Sequence, residues 1–175
     1  RHYTIEEQLR MSAIFAEHQL DLLHVPHFNV PLLYQGSLIV TIHDLLWHEQ
    51  RGTSVTTLPT WQYWLKYAAY RFVTAQAIRR AQKILVPAKT IYQTVSRYYP
   101  KASHKLVVTK EGASVLNTAP RTSHPPKHTT LIYIGSLYPH KNLSVVLNAM
   151  VLDPQLHLIL VGSRTVFQDQ LKKQA

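Results

Sequence analysis

The 175-residue sequence contains no cysteine, only five glycines and only nine acidic residues. Without cysteine there is no disulfide framework, thiolate zinc site or cysteine nucleophile, and this composition suits a reducing compartment. The few glycines form neither a phosphate-binding loop of the type G-x-x-x-x-G-K-[ST] nor a G-x-S-x-G nucleophile elbow. No apolar run approaches the ~18 residues that a membrane-spanning helix needs. For this stretch of chain, the sequence therefore excludes disulfide-stabilised folds, cysteine-dependent enzymes, proteins with either glycine motif and membrane-spanning helices.

Positive charge is concentrated in the middle of the chain. The formal net charge is +10, and residues 66–110 hold ten Lys and Arg but no Asp or Glu. We call residues 66–110 the basic block. Such a block favours an acidic partner, namely phosphate groups, nucleic acid or an anionic membrane surface. The alternative is a solvated basic face with no specific partner.

Segments typical of strands and of helices alternate along the chain. Apolar residues make up 46% of the sequence and charged residues 16%, as in globular proteins. The alternation predicts an α/β fold with parallel sheets. Strands are predicted at residues 21–25, 37–43, 83–86, 105–109, 131–134 and 157–161, and helices at 4–19, 61–81, 89–99, 143–152 and from 166 onward, with a loop at 44–58.

Two of the predicted helices carry apolar residues at helical spacing. The stripe of the first helix, which Thr4 opens as a capping box, consists of Ile5, Leu9, Ser12/Ala13 and Ala16. The stripe of the helix at 61–81 consists of Trp61, Trp64/Leu65, Ala68, Phe72 and Ala75. Three tyrosines of the latter helix could contact nucleic acid or a membrane interface, but their spacing favours the core. These are Tyr63, Tyr67 and Tyr70.

A stretch rich in proline and poor in apolar residues at 119–129 predicts a linker. Residues 1–118 would then form one Rossmann-like parallel-sheet domain, incomplete at its start. Residues 130–175 would begin a second Rossmann-like domain that is cut short. The sequence does not begin with Met, and its last predicted helix runs to Ala175, so we expect a truncated chain.

The stretch 131–144 combines a strand, a glycine, a cation and a helix start. Its first four residues are apolar and predict a buried strand, which Gly135 ends where backbone can approach a ligand closely. Asn142 or Ser144 is the predicted cap of the helix that follows. The N–H groups at that helix start, with the charge of Lys141, favour an anion such as phosphate. The alternative is an ordinary βα turn with a solvated lysine.

Histidines and one aspartate lie near the ends of the first two predicted strands. Their types suit zinc or iron, but they come from separate strands and loops without an H-E-x-x-H helix, which favours hydrogen-bonded loop residues over a metal site. The pair His43-Asp44 is predicted to face the cleft, where an imidazole could bind a sugar hydroxyl or a developing oxyanion. The alternative is a loop histidine that caps nearby backbone. The residues concerned are His24, His27, His43, Asp44 and His48.

Taken in order, five segments of the sequence resemble family 4 glycosyltransferases. The paired features T-x-H-D and G-x-L-x-x-x-K-N carry most of this resemblance, which extends from about Thr4 to Ser163. Members are retaining enzymes with two Rossmann-like domains, the arrangement called GT-B. The opening helix and residues 23–31 are similar to members that act on bacterial surface polysaccharides or similar glycans. The five segments are 40–44, 84–87, 105–112, 133–142 and 158–162.

The resemblance implies roles for particular residues. Lys141 would hold the donor diphosphate and neutralise charge as the nucleotide leaves, and His43 would contact the donor sugar, which makes these two the catalytic candidates. The other donor-phosphate residues that it implies are Gly135, Ser136, His140 and Asn142. The acceptor-side residues that it implies are His27, Asn29 and Asp44.

The resemblance also implies partners and a location. The partners would be a nucleotide-sugar donor and a glycan or lipid-linked acceptor, with neither a cofactor, a metal nor nucleic acid expected. The enzyme would be a hexosyltransferase, with mannose as one candidate sugar. We expect it in the cytoplasm, and the basic block favours peripheral contact with the anionic inner face of the membrane.

The sequence departs from the family at several positions. Many relatives have Arg where Ser136 or His140 stands, which places more of the phosphate binding on Lys141, and Ala88 replaces a common Ser. The family's E-x7-E segment would lie beyond residue 175 and its N-terminal glycine loop before residue 1, so residues 1–175 alone are expected to be nearly inactive. The rival interpretations are a non-catalytic α/β module that binds polyanions or nucleic acid, and a remnant of the fold without its chemistry.

Overall fold

The computed structural model describes residues 4–52, 56, 58–112 and 129–162. The chain divides into two compact units, the first formed by residues 1–51 and 58–114 and the second by residues 52–57 and 115–175. The predicted domain boundary at residue 118, the linker up to residue 128 and the predicted helix from residue 166 lie outside the described residues.

A four-stranded parallel sheet forms the centre of the first unit. Its strands lie in the order β1-β2-β3-β4, and Val40 of β2 stands opposite Val25 of β1 and Ile84 of β3. Val40 and Ile84 have no exposed surface and belong to the main hydrophobic core. The predicted α/β class with a parallel sheet is therefore confirmed. The strands are β1 (Leu23–Val25), β2 (Leu38–Thr41), β3 (Lys83–Val86) and β4 (Leu106–Val108), and the helices are α1 (Ile5–Glu17), α2 (Leu46–Glu49), α3 (Thr60–Arg80) and α4 (Lys89–Tyr98).

α1 begins as predicted but presents a different face to the core. The Thr4 hydroxyl accepts a hydrogen bond from the amide three residues on, at 3.1 Å. Among the described side chains, the predicted stripe is right only at Ser12, which is buried; Leu9 and Ala16 are exposed, and Phe15, outside the stripe, packs against the core. The Gln8 side chain accepts a hydrogen bond from the loop that follows β1, and this contact fixes the inward face of the helix.

α3 likewise buries the face opposite the predicted stripe. Tyr63 and Tyr67 are buried, which confirms the core interpretation for these two, and half-buried Tyr70 packs on Trp47 and His48. Aromatic rings and hydroxyl partners on this side outweigh the apolar stripe on the other, and helical spacing alone did not decide between the two faces. The rest of the buried face consists of Thr74, Ala77 and Ile78.

Arg80, at the end of α3, holds the loop between β1 and β2. Its guanidinium donates hydrogen bonds to the carbonyl oxygens of Pro31 at 3.2 Å and Leu32 at 3.0 Å, and a third to that of Tyr34. Charged donors of this kind satisfy loop carbonyls that no strand or helix partner reaches. These bonds tie the loop after β1, which also carries Asn29, to the end of α3.

We expect Arg80→Ala to lower the free energy of unfolding by about 2 kcal/mol, because three carbonyl oxygens lose a charged donor. Arg79→Ala is the matched control, since the Arg79 guanidinium is exposed and bonds only to Gln76 of its own helix in the described part of the chain. That control should change stability by less than about 0.5 kcal/mol. Equal losses in urea-induced unfolding of the two variants would contradict this role of Arg80.

The second unit contains a two-stranded parallel sheet with one connecting helix. β5 (Thr130–Ile134) pairs with β6 (His157–Val161), and α5 (Leu143–Leu152) lies between them in sequence. The prediction that β5 is buried is wrong for the described residues, since Ile132 is 62% and Ile134 73% exposed. The reason is that β6 is the one strand beside β5 in this part of the structure. Buried apolar contacts concentrate instead at Leu137 and Leu143, beside the turn that precedes α5.

None of the helices in the described ranges is both long enough and apolar enough to cross a membrane.

Candidate functional site

The turn between β5 and α5 is built on two hydrogen bonds to backbone carbonyls and one 3-10 turn. The Gly135 amide donates to the Val161 carbonyl at 2.9 Å and so extends the pairing of the two strands. The Tyr133 hydroxyl donates to the Ser136 carbonyl at 2.7 Å, which bends the chain back over the strand end. A single 3-10 turn, Pro139–Lys141, then leads to the helix. We call residues 135–142 the strand-helix turn.

Asn142 occupies the position before α5 but does not cap it with its side chain. Its backbone is left-handed, with φ 51° and ψ 41°, a conformation that asparagine tolerates better than most residues. The predicted cap is therefore wrong for Asn142, and Ser144 lies inside the helix. Because the Asn142 side chain makes no capping bond, it does not occupy the first amides of α5, which is where helices bind anions.

Lys141 supplies a full positive charge next to that helix start. Its side chain is exposed, and in the described part of the structure its ammonium has no hydrogen-bond or ion-pair partner. The His140 ring stacks on Tyr138, with ring centroids 5.9 Å apart and an interplanar angle of 22°. The strand-helix turn thus contains all five predicted phosphate-binding residues at the carboxyl end of β5. Among the described residues, Lys141 has no partner that would compete with a bound anion.

Gly162, directly after β6, keeps the strand-helix turn close to the sheet. A methyl group at this position would lie 2.3 Å from the Gly135 carbonyl oxygen. That oxygen belongs to backbone held by the Gly135–Val161 hydrogen bond, so it has little freedom to move away. Because it has no side chain, Gly162 allows the backbone of Gly135 to lie directly against the end of β6. The sequence position of Gly162 after a strand did not indicate this role.

We expect Gly162→Ala to destabilise the strand-helix turn by about 2 kcal/mol, because relief of the clash must shift backbone. Gly112→Ala is the matched control, since an added methyl group there meets no described atom within 4 Å. Hydrogen exchange of residues 130–142 should become faster in Gly162→Ala and stay unchanged in the control. Unchanged exchange in both variants would show that the turn does not depend on this contact.

In the first unit, His43 makes a contact with a carboxylate that the sequence did not suggest. Its Nδ1 lies 2.9 Å from Oε1 of Glu111, and the two side chains are 45% and 66% exposed. A carboxylate only accepts, so the contact places a proton on Nδ1 and leaves Nε2 to face other groups. His43 follows β2 and Glu111 follows β4, so both lie at the carboxyl edge of the sheet. The position of Glu111 just after a predicted strand was the sequence feature that could have placed it near His43.

His27 and Asp44 lie in the same neighbourhood as His43. Burial is the main cause that lowers the pKa of His27, while the Asp44 carboxylate raises it and His43 lowers it further. His27 Nδ1 accepts a hydrogen bond from the Asn29 amide at 3.1 Å. Asp44 accepts one from the Leu46 amide at 3.0 Å and so starts α2, inside the segment predicted as a loop. The predicted acceptor-side residues His27 and Asp44 thus come together with His43.

Asn29 is held in a structural network instead of pointing freely at a ligand. Its side-chain amide donates to Glu7 at 3.2 Å, and its carbonyl oxygen accepts from Gln8 at 3.2 Å. Both partners belong to α1, so the network ties the loop after β1 to that helix. Asn29 therefore positions the loop that carries His27, and its own polar atoms are occupied.

His48 lies in an aromatic cluster and not at the sheet edge. It is 3% exposed, and its two ring nitrogens lie 2.7 Å from the hydroxyls of Tyr70 and Tyr99. Burial, with a smaller effect of Arg71, lowers the pKa of His48 to about 4. The ring is thus neutral at pH 7, with one tyrosine donating to it and the other accepting from it. In the described ranges, no three His, Asp or Glu side chains group as metal ligands.

The comparisons with known proteins found no matching family model and no significantly similar curated protein. The interpretation of the site therefore depends on its own residues. Two groups are assembled: the strand-helix turn with Lys141 in the second unit, and His43, Glu111, His27 and Asp44 in the first. The first group suits an anion, and the second presents an oriented imidazole with a carboxylate beside it.

Proposed function

We propose that this chain is part of a retaining glycosyltransferase of GT-B architecture that moves a sugar from a nucleotide-sugar to a glycan or lipid-linked acceptor. The observation that carries the proposal is the strand-helix turn at the carboxyl end of a parallel strand. There the Lys141 ammonium has no partner among the described residues, and the Asn142 side chain does not cap the helix that follows. Ligands of open parallel sheets bind at that end of the strands. The two compact units, the first with a parallel α/β sheet, support the architecture.

The turn suits a diphosphate leaving group. When the bond between the sugar and the diphosphate breaks, negative charge develops on the phosphate oxygen that departs with the nucleotide. The Lys141 ammonium and the amides at the start of α5 would stabilise that charge. They would therefore bind the transition state more strongly than the ground state, which is the condition for catalysis. Gly135 has no side chain to obstruct the approach of phosphate to the turn.

The first unit has its own groups that suit sugar hydroxyls. With Nδ1 held by Glu111, the His43 ring presents Nε2, which in the neutral ring accepts a hydrogen bond from a sugar hydroxyl. Glu111 would act as a positioning residue, because it sets the orientation of the ring through Nδ1. His27 and Asp44, close to His43, would serve the acceptor.

The test is a screen of nucleotide-sugars for release of free nucleoside diphosphate by the full-length protein that contains this sequence. We expect release from one donor, increased by the correct acceptor, and a product whose anomeric configuration matches that of the donor. Release that is absent for every donor, together with salt-sensitive binding to single-stranded nucleic acid, would support the rival polyanion-binding module instead.

A further inference from the structure

One face of α3 is exposed, apolar and aromatic. The exposed side chains of Trp61, Trp64, Leu65 and Phe72 show between 48% and 68% of their surface. Trp61, Leu65 and Phe72 recur at the helical spacing of four and seven residues, so they lie on one side, opposite buried Tyr63. We call Trp61, Trp64, Leu65 and Phe72 the tryptophan face. Four large apolar side chains together on one helix are more than the scattered exposure of ordinary surfaces.

The charged side chains of α3 are all positive. α3 contains no acidic residue in its 21 positions, and exposed Lys66 lies beside the face. Arg79 stands five helical turns from Trp61 and therefore points to the same side. The Lys105 ammonium donates to the Arg79 carbonyl at 2.8 Å, which brings a second cation to that end of the helix. The tryptophan face is thus bordered by Lys66, Arg79 and Lys105.

We propose that the tryptophan face docks this protein on an anionic phospholipid surface, with α3 lying in the plane of the interface. Tryptophan and leucine side chains enter the boundary between headgroups and acyl chains, while flanking Lys and Arg meet anionic headgroups. Each such cation near an anionic leaflet strengthens binding by about fivefold. The positive charge beside the face and its tryptophan content favour an anionic phospholipid surface as the partner. This inference does not depend on the glycosyltransferase proposal.

The order of residues along the face argues against nucleic acid as its partner. Single-stranded nucleic acid needs cations that follow the phosphates between the stacked bases. From Trp61 to Phe72 the exposed face carries Leu65 and Ala68 between its aromatic rings, and its cations stand beside and beyond it. An apolar centre with a cationic border matches a bilayer interface, where apolar and charged layers are separated in depth.

The test is vesicle co-sedimentation of the full-length protein, using phosphatidylcholine with and without phosphatidylglycerol. We expect at least about tenfold tighter binding to the anionic vesicles and a blue shift of tryptophan emission. Trp61→Ser/Leu65→Ser should weaken that binding by at least about tenfold, because both side chains leave the interface. Leu9→Ser/Leu33→Ser, at exposed apolar positions outside α3, is the matched control and should bind as the unmodified protein does.

Three results would overturn the proposal. The first is equal or absent binding to both kinds of vesicle. The second is vesicle binding that the α3 variant retains. The third is a dimer in analytical ultracentrifugation that dissociates in the α3 variant while vesicle binding is absent, which would assign the tryptophan face to a second copy of the chain. Circular dichroism of each variant verifies that exposed substitutions leave the fold intact.

Discussion

Lys141→Ala is expected to reduce nucleoside diphosphate release by about 100-fold or more, the magnitude found when one preorganised charge-stabilising group is removed from a transition state. Lys141 is the charged group of the strand-helix turn, and its ammonium has no competing partner in the described residues. The loss should fall mainly on kcat, because charge on the leaving diphosphate is greatest in the transition state.

Lys89→Ala is the matched control for Lys141→Ala. Lys89 is also exposed, and it also stands at the start of a helix that follows a parallel strand, but in the first unit. Its loss should leave nucleoside diphosphate release within about twofold, which corresponds to less than 0.5 kcal/mol. Equal effects of both substitutions would mean that general positive charge, and not the strand-helix turn, supports the activity.

His48→Gln is expected to lower the free energy of unfolding of the first unit by about 3 kcal/mol at pH 7.5. The imidazole bonds to Tyr70 and Tyr99 at 2.7 Å each, and its ring packs on both tyrosines and on Tyr98. The glutamine side chain fills less of this space and cannot bridge the two hydroxyls in the plane of a ring. Urea-induced unfolding, followed by the fluorescence of Trp47 beside Tyr70, measures the loss.

The same residue makes stability depend on pH. The pKa of His48 is about 4 in the folded protein and 6.5 in the unfolded chain, so the unfolded chain binds the proton more tightly. Its contribution is therefore complete above pH 6.5 and is lost as the pH falls from about 6.5 to about 4, by on the order of 3 kcal/mol. His48→Gln should lack this part of the pH dependence.

His104→Gln provides the control for the pH experiment, since His104 is exposed in the same unit. Its stability should fall with pH as steeply as that of the unmodified protein. If His48→Gln showed the same slope between pH 6.5 and pH 4, the acid sensitivity would have to come from other groups, such as His27, whose pKa burial also lowers.

Local signals in the sequence were sufficient for the elements of the fold. Pro87 ends β3 and Pro100 ends α4, and the observed bounds Lys83–Val86 and Lys89–Tyr98 agree with the predicted 83–86 and 89–99 within one residue. Proline excludes continued regular structure by its own geometry, so such signals do not depend on distant residues. Apolar runs likewise identified β2, whose Leu38 and Val40 are buried.

The inward face of a helix was not predictable in this way. Both faces of α3 contain aromatic residues at helical spacing, and the choice between them depends on partners far along the chain. Tyr70 contacts His48, 22 residues away, and His48 contacts Tyr99, 51 residues away. A pattern within one helix contains no information about these partners, so the stripe with Trp61 and Phe72 appeared equally suited to the core.

In the candidate site, too, features within one segment could be predicted and contacts between distant segments could not. The strand-helix turn is contiguous in sequence, so its residues could be named in advance, including Lys141. The partner of His43 is Glu111, from another strand end, and its assignment needed the parallel order of β2, β3 and β4. The hydrogen bonds of the Asn29 amide to Glu7 and Gln8 of α1 were likewise not visible in the sequence, because these partners lie more than 20 residues away.

The most direct measurement is hydrogen exchange of the full-length protein with and without a nucleoside diphosphate. If the strand-helix turn holds the diphosphate, amides within residues 135–145 should exchange more slowly when the nucleotide is bound, and Lys141→Ala should abolish that protection. Protection confined to the basic block, or no protection anywhere at saturating nucleotide, would contradict the proposed donor site.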